Sequence, residues 1–333
     1  MTRAVPVRTS PAEITRAVAT LRAGGLVAFP TETVYGLGAD ASSAAAVHHL
    51  FAVKGRPPDH PVIVHLGAPE QLAEWARHVP PAATVLADAC WPGPLTLVLE
   101  RAARVPDAVT GGLDTVGLRV PDQPVAQALL REFGGGVAAP SANRFGRVSP
   151  TTADDVRRDL GDDVDVVLDG GPCRVGVEST IVDCSHGEPA ILRLGGVSHE
   201  RIEALLGRAV PLRSGGDVRA PGTLASHYAP RARVVLLDDD RVVACARDEL
   251  DAGARVGVLA AKLPDALDPR VVIVGSPADA DEYARSLYRH LRAADDRGLD
   301  VVLAVAPAEV GIGAAVADRL RRAAGAGAGG GAS

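Results

Sequence analysis

Lysine supplies only two of the chain's 35 basic residues, Lys54 and Lys262, and arginine supplies the rest. In a sequence so biased toward arginine, a surviving lysine invites a functional reading. Lys54-Gly55-Arg56 sets two cations two residues apart, and Pro57, Pro58 and Pro61 stiffen the chain just beyond them. Such a loop can clamp phosphate oxygens through charge and the guanidinium fork; a solvated basic turn is the other reading of the same residues. Pro140-Ser141-Ala142-Asn143 comes directly after the apolar Val137-Ala138-Ala139, and strand ends of α/β sheets are where polar groups meet ligands. Ser141 and Asn143 can bond phosphate or ribose there, or can cap a helix or close an Asx-turn. Gly176-Val177-Glu178-Ser179-Thr180 opens a further strand with two hydroxyls, suited to substrate or to a turn. His65 lies within the apolar run 62–66, where an isolated histidine is ordinarily structural.

The familiar nucleotide and hydrolase signatures are missing. The sequence holds no GxxxxGK[ST] loop, no GxSxG elbow, no HExxH site and no evident pair of catalytic acids. Two GxGxxG-like fragments begin at Gly36 and Gly311, both without the third glycine, and turn formation or close helix packing accounts for them. Cys90, Cys173, Cys184 and Cys245 stand far apart without CxxC pairing or histidines at zinc spacing, which predicts buried reduced thiols.

A net charge of -6 with acids and bases intermixed argues against a broad nucleic-acid footprint. The amino-terminal residues form no apolar leader core, and no stretch reaches bilayer length, so a cytoplasmic protein without membrane contact is expected. At 333 residues, two domains are the natural reading.

The elements that must position these residues can be read from pattern. Ser10-Pro11-Ala12-Glu13 is a capping box with proline at the first helical position, and Ile14, Val18 and Leu21 come after it at helical spacing. Strands are predicted at 26–29, 61–66, 95–100, 115–120, 136–140, 164–169, 179–184 and 190–194. Helices are predicted near 43–53, 70–78, 81–90, 123–133, 151–160 and 198–206, with residues 31–40 as a polar loop. Several late strands succeed one another without helices, which predicts a mixed α/β sheet over residues 1–210. Residues 211–231 lose all periodicity and read as a linker. Beyond it, strands near 234–237, 256–259, 271–274 and 301–305 alternate with helices at 240–251, 279–297 and 314–324. A small three-layer, Rossmann-like α/β domain over 232–324 is expected, with no convergent polar cluster, and then a glycine- and alanine-rich flexible tail at 325–333.

Together the motifs match one family. FPTETVYGLGADA at 29–41, KGRPPDHPVIVHL at 54–66, WPGPLTLVL at 91–99, VGLRVP at 116–121, APSAN at 139–143, SPT at 149–151, VEST at 177–180 and ILRLG at 191–195 resemble the YrdC-like threonylcarbamoyl-AMP synthases. APGTLASHYAP at 220–230 and GIGAAVADRLRRA at 311–323 resemble the longer, two-domain branch. The resemblance implies a YrdC-like domain that condenses L-threonine, bicarbonate or carbon dioxide, and ATP to threonylcarbamoyl-AMP and pyrophosphate, with Mg2+ assisting. It assigns ATP to Lys54, Arg56, His60, Thr115, Ser141, Asn143, Ser149, Arg193 and Tyr228, with Lys54 and Arg56 carrying the catalytic charge. Threonine falls to Thr33, His65, Arg119, the Ala139 backbone and Ser179, a role that reverses the structural reading of His65. His227 and Tyr228 would lie in a lid over the site. The product would pass to a downstream tRNA-modifying transferase complex, with at most weak tRNA contact by this chain.

Two other readings stand beside it. Carbamoyl transfer through a carbamoyl-adenylate occurs in YrdC-like modules that sit beside zinc-finger segments, and this chain has no paired CxxC. A dedicated RNA-binding protein would need stacking platforms and counterion release, to which four phenylalanines, four tyrosines, two tryptophans and an acidic balance contribute little.

Overall fold

Helix α1 (Pro11–Arg22) begins at the capping box: the Ser10 hydroxyl accepts from the Glu13 amide, and the Glu13 carboxylate accepts from the Ser10 amide at 2.7 Å. The computed structural model describes residues 9–213 and 228–325. They divide into two units, one of residues 9–145 and 149–213, the other of residues 146–148 and 228–325.

The first unit is built on a nine-stranded sheet. Its strands are β1 (Val27–Phe29), β2 (Gly36–Asp40), β3 (Ile63–His65), β4 (Leu95–Glu100), β5 (Thr115–Arg119), β6 (Val137–Ala138), β7 (Val166–Val167), β8 (Thr180–Asp183) and β9 (Ala190–Arg193), in the order β7-β1-β2-β6-β3-β5-β4-β8-β9. Pairing is mixed: β1–β7, β3–β5 and β4–β8 are parallel and the other neighbours antiparallel. Helices α2 (Ala44–Lys54), α3 (Leu72–Trp75), α4 (Pro81–Cys90), α5 (Asp107–Thr110), α6 (Pro124–Phe133) and α7 (Ala153–Leu160) connect the strands, and α8 (His199–Leu206) follows the last of them. Strand alternation divides the apolar residues between two cores. Val27, Phe29 and Val137 pack with α1 and α6, while Leu26, Ala28, Val64 and Ala138 belong to the larger core that includes Val47, Leu50 and Phe51 of α2.

Two local expectations are corrected. The expected loop at 31–40 contains a strand, β2, antiparallel to β1 and β6. Its sequence, Gly-Leu-Gly-Ala-Asp, reads as a turn because the packing demands missing side chains. A Cβ at Gly38 would lie 2.8 Å from Val137 Cγ1 and 2.9 Å from Phe29 Cε1. The expected helix at 70–78 is a 3-10 turn (Pro69–Gln71) and one helical turn, α3, because Ala76 turns extended and bridges to Arg101.

The second unit is a parallel four-stranded sheet, β10 (Arg233–Leu236), β11 (Val256–Leu259), β12 (Val272–Gly275) and β13 (Val301–Ala304), in the order β10-β13-β11-β12. Helices α9 (Val242–Asp251), α10 (Ala280–Asp296) and α11 (Ile312–Gly325) complete the α/β unit. The expectation of no polar cluster there is corrected. The fully buried Arg319 pairs with Asp318 and stands 5.0 Å over the Tyr228 ring, which stacks on Tyr288 at 5.8 Å, and Arg322 also bonds Asp318. The cluster escapes sequence reading because α11 meets Tyr228 across about ninety residues of chain. The glycines at 311 and 313 serve turn and packing: Gly311 has φ +60, and a Cβ at Gly313 would meet Ala308 O at 2.1 Å.

All four cysteines are free, but only Cys173 and Cys184 are buried; Cys90 and Cys245 are half-exposed, against the expectation of four buried thiols. The expected tail lies outside the described residues from 326 onward, as do residues 214–227 of the expected linker. No helix among the described residues is long and apolar enough to cross a membrane.

Candidate active site

Strand register lines up the site. His65 of β3 pairs with Arg119 of β5, Thr96 of β4 pairs with Ile181 of β8, and Ile181 pairs with Arg193 of β9, so these side chains cross one face of the sheet in a row. Ser179, two residues before Ile181, faces the same way. Its hydroxyl bonds that of Thr96 at 2.8 Å, and Arg193 donates to the Ser179 carbonyl from Nε at 3.1 Å and Nη2 at 2.8 Å, and to Ser179 Oγ at 3.1 Å. Ile63, Val98, Ile181 and Leu192 form a small apolar cluster among them.

Charged residues are almost never fully buried unless a partner or a function keeps them there. Among the described residues of the first unit, Glu32, Lys54, Arg56, His65, Arg119, Glu178, Asp183 and Arg193 are buried, and all but Asp183 belong to this row or to the loops strapped beside it. The straps are explicit. Val175 N donates to Glu32 O at 2.7 Å, Tyr35 N to Pro150 O at 2.9 Å, Ala142 N to Tyr35 O at 2.8 Å and Phe145 N to Lys54 O at 2.8 Å.

Lys54 ends α2, and Gly55 takes the left-handed cap at φ 65, which turns Arg56 back toward the helix. The Lys54 ammonium donates to Ser141 O at 2.5 Å and to Asn143 O, with Asn143 Oδ1 at 3.5 Å. These partners are carbonyl and amide oxygens, with no carboxylate among them. Burial, then the positive charges of Arg56 and Arg144, hold its pKa well below that of an ordinary lysine, while Asp159 opposes them. A solvated basic turn is therefore excluded: Lys54 and Arg56 are 3% and 8% exposed. Arg56 donates to Pro61 O at 2.8 Å, and its guanidinium lies 5.7 Å from the Phe51 ring and 5.8 Å from Phe145. His60 packs on Phe145 with ring centroids 5.7 Å apart. Ser141 Oγ donates to Asn143 Oδ1 at 2.6 Å, and Ser149 Oγ to Glu178 Oε1 at 2.8 Å. Lys54, Arg56, His60, Ser141 and Asn143 are thus brought together at the carboxyl ends of α2 and β6.

The second group gathers around Arg119. Its Nε donates to Gly93 O at 3.2 Å, and its Nη2 stands 2.8 Å from Glu32 Oε1 without the alignment of a hydrogen bond. Thr33 is fully buried, its hydroxyl bonded to that of Thr31 at 2.7 Å. Ala139 donates its amide to Ile63 O at 2.9 Å beside His65. His65 packs edge-on to Phe29 at 5.9 Å, and its Nδ1 makes no hydrogen bond of ordinary geometry.

Burial first, and the neighbouring Arg119 second, push the His65 pKa down to about 3, the Ile63 and Val137 backbone opposing. His65 is consequently neutral at physiological pH. Because the folded value lies below the ordinary 6.5, the unfolded chain binds more protons between the two. Stability therefore falls as pH drops through that window, by at most about 1.4 kcal/mol per pH unit, and is flat above it. His65→Asn is expected to remove this slope, read as the change in urea midpoint between neutral pH and pH about 5; an unchanged slope would contradict the assignment.

Thr115 opens β5 at the end opposite Arg119, four residues and about 13 Å away. It shares that strand face, but no side-chain hydrogen bond joins it to the cluster among the described residues. Tyr228 is buried in the second unit, at φ 64, against Tyr288 and Arg319. His227 lies outside the described residues. Glu32 and Glu178 were overlooked by sequence reasoning. Their signal was present: each is an acid beside two hydroxyl residues, on either side in Thr31-Glu32-Thr33 and after it in Glu178-Ser179-Thr180.

The described residues contain no group of three or more His, Cys, Asp or Glu able to cage a metal ion. What the arrangement offers is a set of buried cations and small hydroxyls, suited to binding and neutralising anions.

A family model described as Telomere recombination, of the Sua5, YciO and YrdC type, matches residues 19–195, and the model of the threonylcarbamoyl-AMP synthase C-terminal domain matches residues 197–325. The threonylcarbamoyl-AMP synthase of Pyrococcus abyssi is 42% identical over 317 residues, 91% of each chain. That of Bacillus subtilis is 40% identical over 328 residues, covering 95% of this chain and 94% of its own. Among solved structures, P. abyssi Sua5 complexed with L-threonine superposes with a TM-score of 0.88 at 41% identity, covering 94% of both chains.

Proposed function

The chain belongs to the threonylcarbamoyl-AMP synthase family, and from that premise we propose how its buried charges are used. It is a transferase of the nucleotidyltransferase type, an enzyme of tRNA modification. L-Threonine, its amine losing its protons to solvent, takes up carbon dioxide, free or from bicarbonate with loss of water, to form a carbamate. A carbamate oxygen attacks the α-phosphorus of ATP, and the bond to pyrophosphate breaks, leaving threonylcarbamoyl-AMP. Both reactants are anions, so catalysis here is positioning and charge neutralisation rather than proton transfer by an acid and base pair.

The observation that carries this reading is the Lys54 ammonium, buried against carbonyl oxygens with no carboxylate bonded to it among the described residues. An anionic ligand supplies the missing countercharge. Lys54 and Arg56 take the phosphates, with Ser141, Asn143 and Ser149 bonding their oxygens; His60 and Arg193 complete the nucleotide site. Thr115 and Tyr228 are carried in that set by resemblance alone. Arg119 takes the threonine carboxylate, with Thr33, His65, Ser179 and the Ala139 backbone around it. Residues 211–231, with His227 and Tyr228, act as the lid.

Mg2+ would enter with the triphosphate. Among the described residues no group of three or more ligands could cage it, and an ion carried by phosphates would need only one or two carboxylates. Glu178, which accepts from Ser149, would be the carboxylate to hold it, and the ion would supply charge neutralisation of the departing pyrophosphate. Four free thiols suit a reducing compartment, and we assign the enzyme to the cytoplasm. Its unstable mixed anhydride passes to a tRNA-modifying transferase complex, and the chain itself makes at most weak tRNA contact.

Labelled bicarbonate tests the chemistry. With ATP, Mg2+ and threonine, the label is expected in an adenylate that contains threonine. Label taken up from carbamoyl phosphate into a carbamoyl-adenylate, with none taken up from bicarbonate, would instead select carbamoyl transfer.

A further inference from the structure

An α-amino acid is a zwitterion, and a dry site that selects it must present a cation and an anion side by side. We propose that Glu32 is the residue that recognises the α-ammonium of the substrate, in partnership with Arg119, which takes its carboxylate. The proposal rests on the reading of this cluster as the threonine site.

Glu32 is 1% exposed, yet neither carboxylate oxygen accepts a hydrogen bond among the described residues. A carboxylate has about four acceptor sites, and burying them unused is costly. Its neighbours in sequence do not relieve it. The Thr31 and Thr33 hydroxyls bond each other at 2.7 Å, and Thr31 Oγ1 donates to Val34 O at 2.6 Å. Arg119 Nη2 stands 2.8 Å from Oε1, out of line for a hydrogen bond. The loop that carries Glu32 is fixed by Val175 N and Gly176 N donating to the carbonyls of Glu32 and Thr33, so the carboxylate is held where it is by backbone rather than by its own bonds. Arg119 is likewise anchored through Nε to Gly93 O, leaving the Nη2 end for an anion.

The two side chains therefore neutralise each other loosely while keeping their hydrogen-bonding capacity. A zwitterion slipping between them exchanges one poor ion pair for two aligned, charge-assisted contacts. Neutral and purely anionic ligands cannot make that exchange, since they must break the pair and leave Glu32 with no cation. Selection for an amine-bearing acid is a property of the pair itself.

The test compares L-threonine with its analogue in which a hydroxyl replaces the α-amino group, by calorimetry on the full chain. The wild type is expected to prefer threonine by about tenfold or more, the usual worth of a hydrogen bond to a charged group. In Glu32→Gln the analogue is expected to bind more tightly than to the wild type, because Arg119 has lost its internal competitor. The threonine-to-analogue affinity ratio is expected to fall by about tenfold. Equal changes for both ligands would reduce Glu32 to a structural prop and overturn the proposal. Should Glu32→Gln fail to fold, the wild-type ratio decides, and a ratio near one overturns it. Failure of the wild type to bind threonine at all refutes the site reading instead.

Discussion

Lys54→Met lowers the rate of adenylate formation by about a thousandfold, the upper end of what one preorganised donor contributes where charge develops. The substitution keeps the volume of the side chain, so the cavity cost is small. Folding stability is expected to hold steady or rise in the same variant. Lys54 is buried, its ammonium is disfavoured by desolvation and by Arg56, and removing it relieves both penalties while giving up bonds to Ser141 O and Asn143 O. Opposite signs for activity and stability mark a charge kept for its ligand. The depressed lysine pKa adds a linked expectation. A triphosphate favours the charged form, so ATP binding takes up a proton wherever the empty site holds the neutral amine. Proton uptake is read by calorimetry in buffers of different ionisation enthalpy. A Lys54→Met variant that retains activity within a few fold contradicts the phosphate assignment.

Arg119→Met acts on the other substrate and on stability together. Threonine affinity is expected to fall by about 100-fold or more, since a buried partner of a charged ligand group is removed. ATP affinity should stay within a few fold, because Arg119 belongs to the β3–β5 row and bonds none of the residues around Lys54. The empty protein is expected to lose about 3–5 kcal/mol, the usual penalty for stranding one member of a buried ion pair. Here the stranded member is Glu32, and adding Glu32→Gln should return part of that loss. Urea unfolding of the two single variants and the double variant reads the coupling directly.

Local chemistry made much of this legible in the sequence. Ser10 and Glu13 announce α1 because a capping box acts over three residues. Lys54 stood out because arginine has replaced lysine almost everywhere else. The resemblance in long motifs drew His65, Arg119 and Ser179 together across more than a hundred residues, and strand register accounts for their meeting. What stayed hidden depends on non-local packing. β2 is a strand because Phe29 and Val137 close on Gly38, and a Gly-Leu-Gly run carries no strand propensity of its own. Lys54 reads equally well as a solvated turn in sequence, because Phe145 and Asn143 cover it from a distant loop. Glu32 was passed over because its partner, Arg119, lies 87 positions further along the chain.

The central claim is that one buried set of cations joins threonine to ATP through a carbamate. Pyrophosphate release by the purified full chain, with ATP and Mg2+ present and threonine or bicarbonate omitted in turn, tests it most directly. Release only when both are supplied, with a threonine-containing adenylate as the second product, is the predicted result. Pyrophosphate formed equally well without threonine, or no consumption of ATP with every substrate present, would contradict the account.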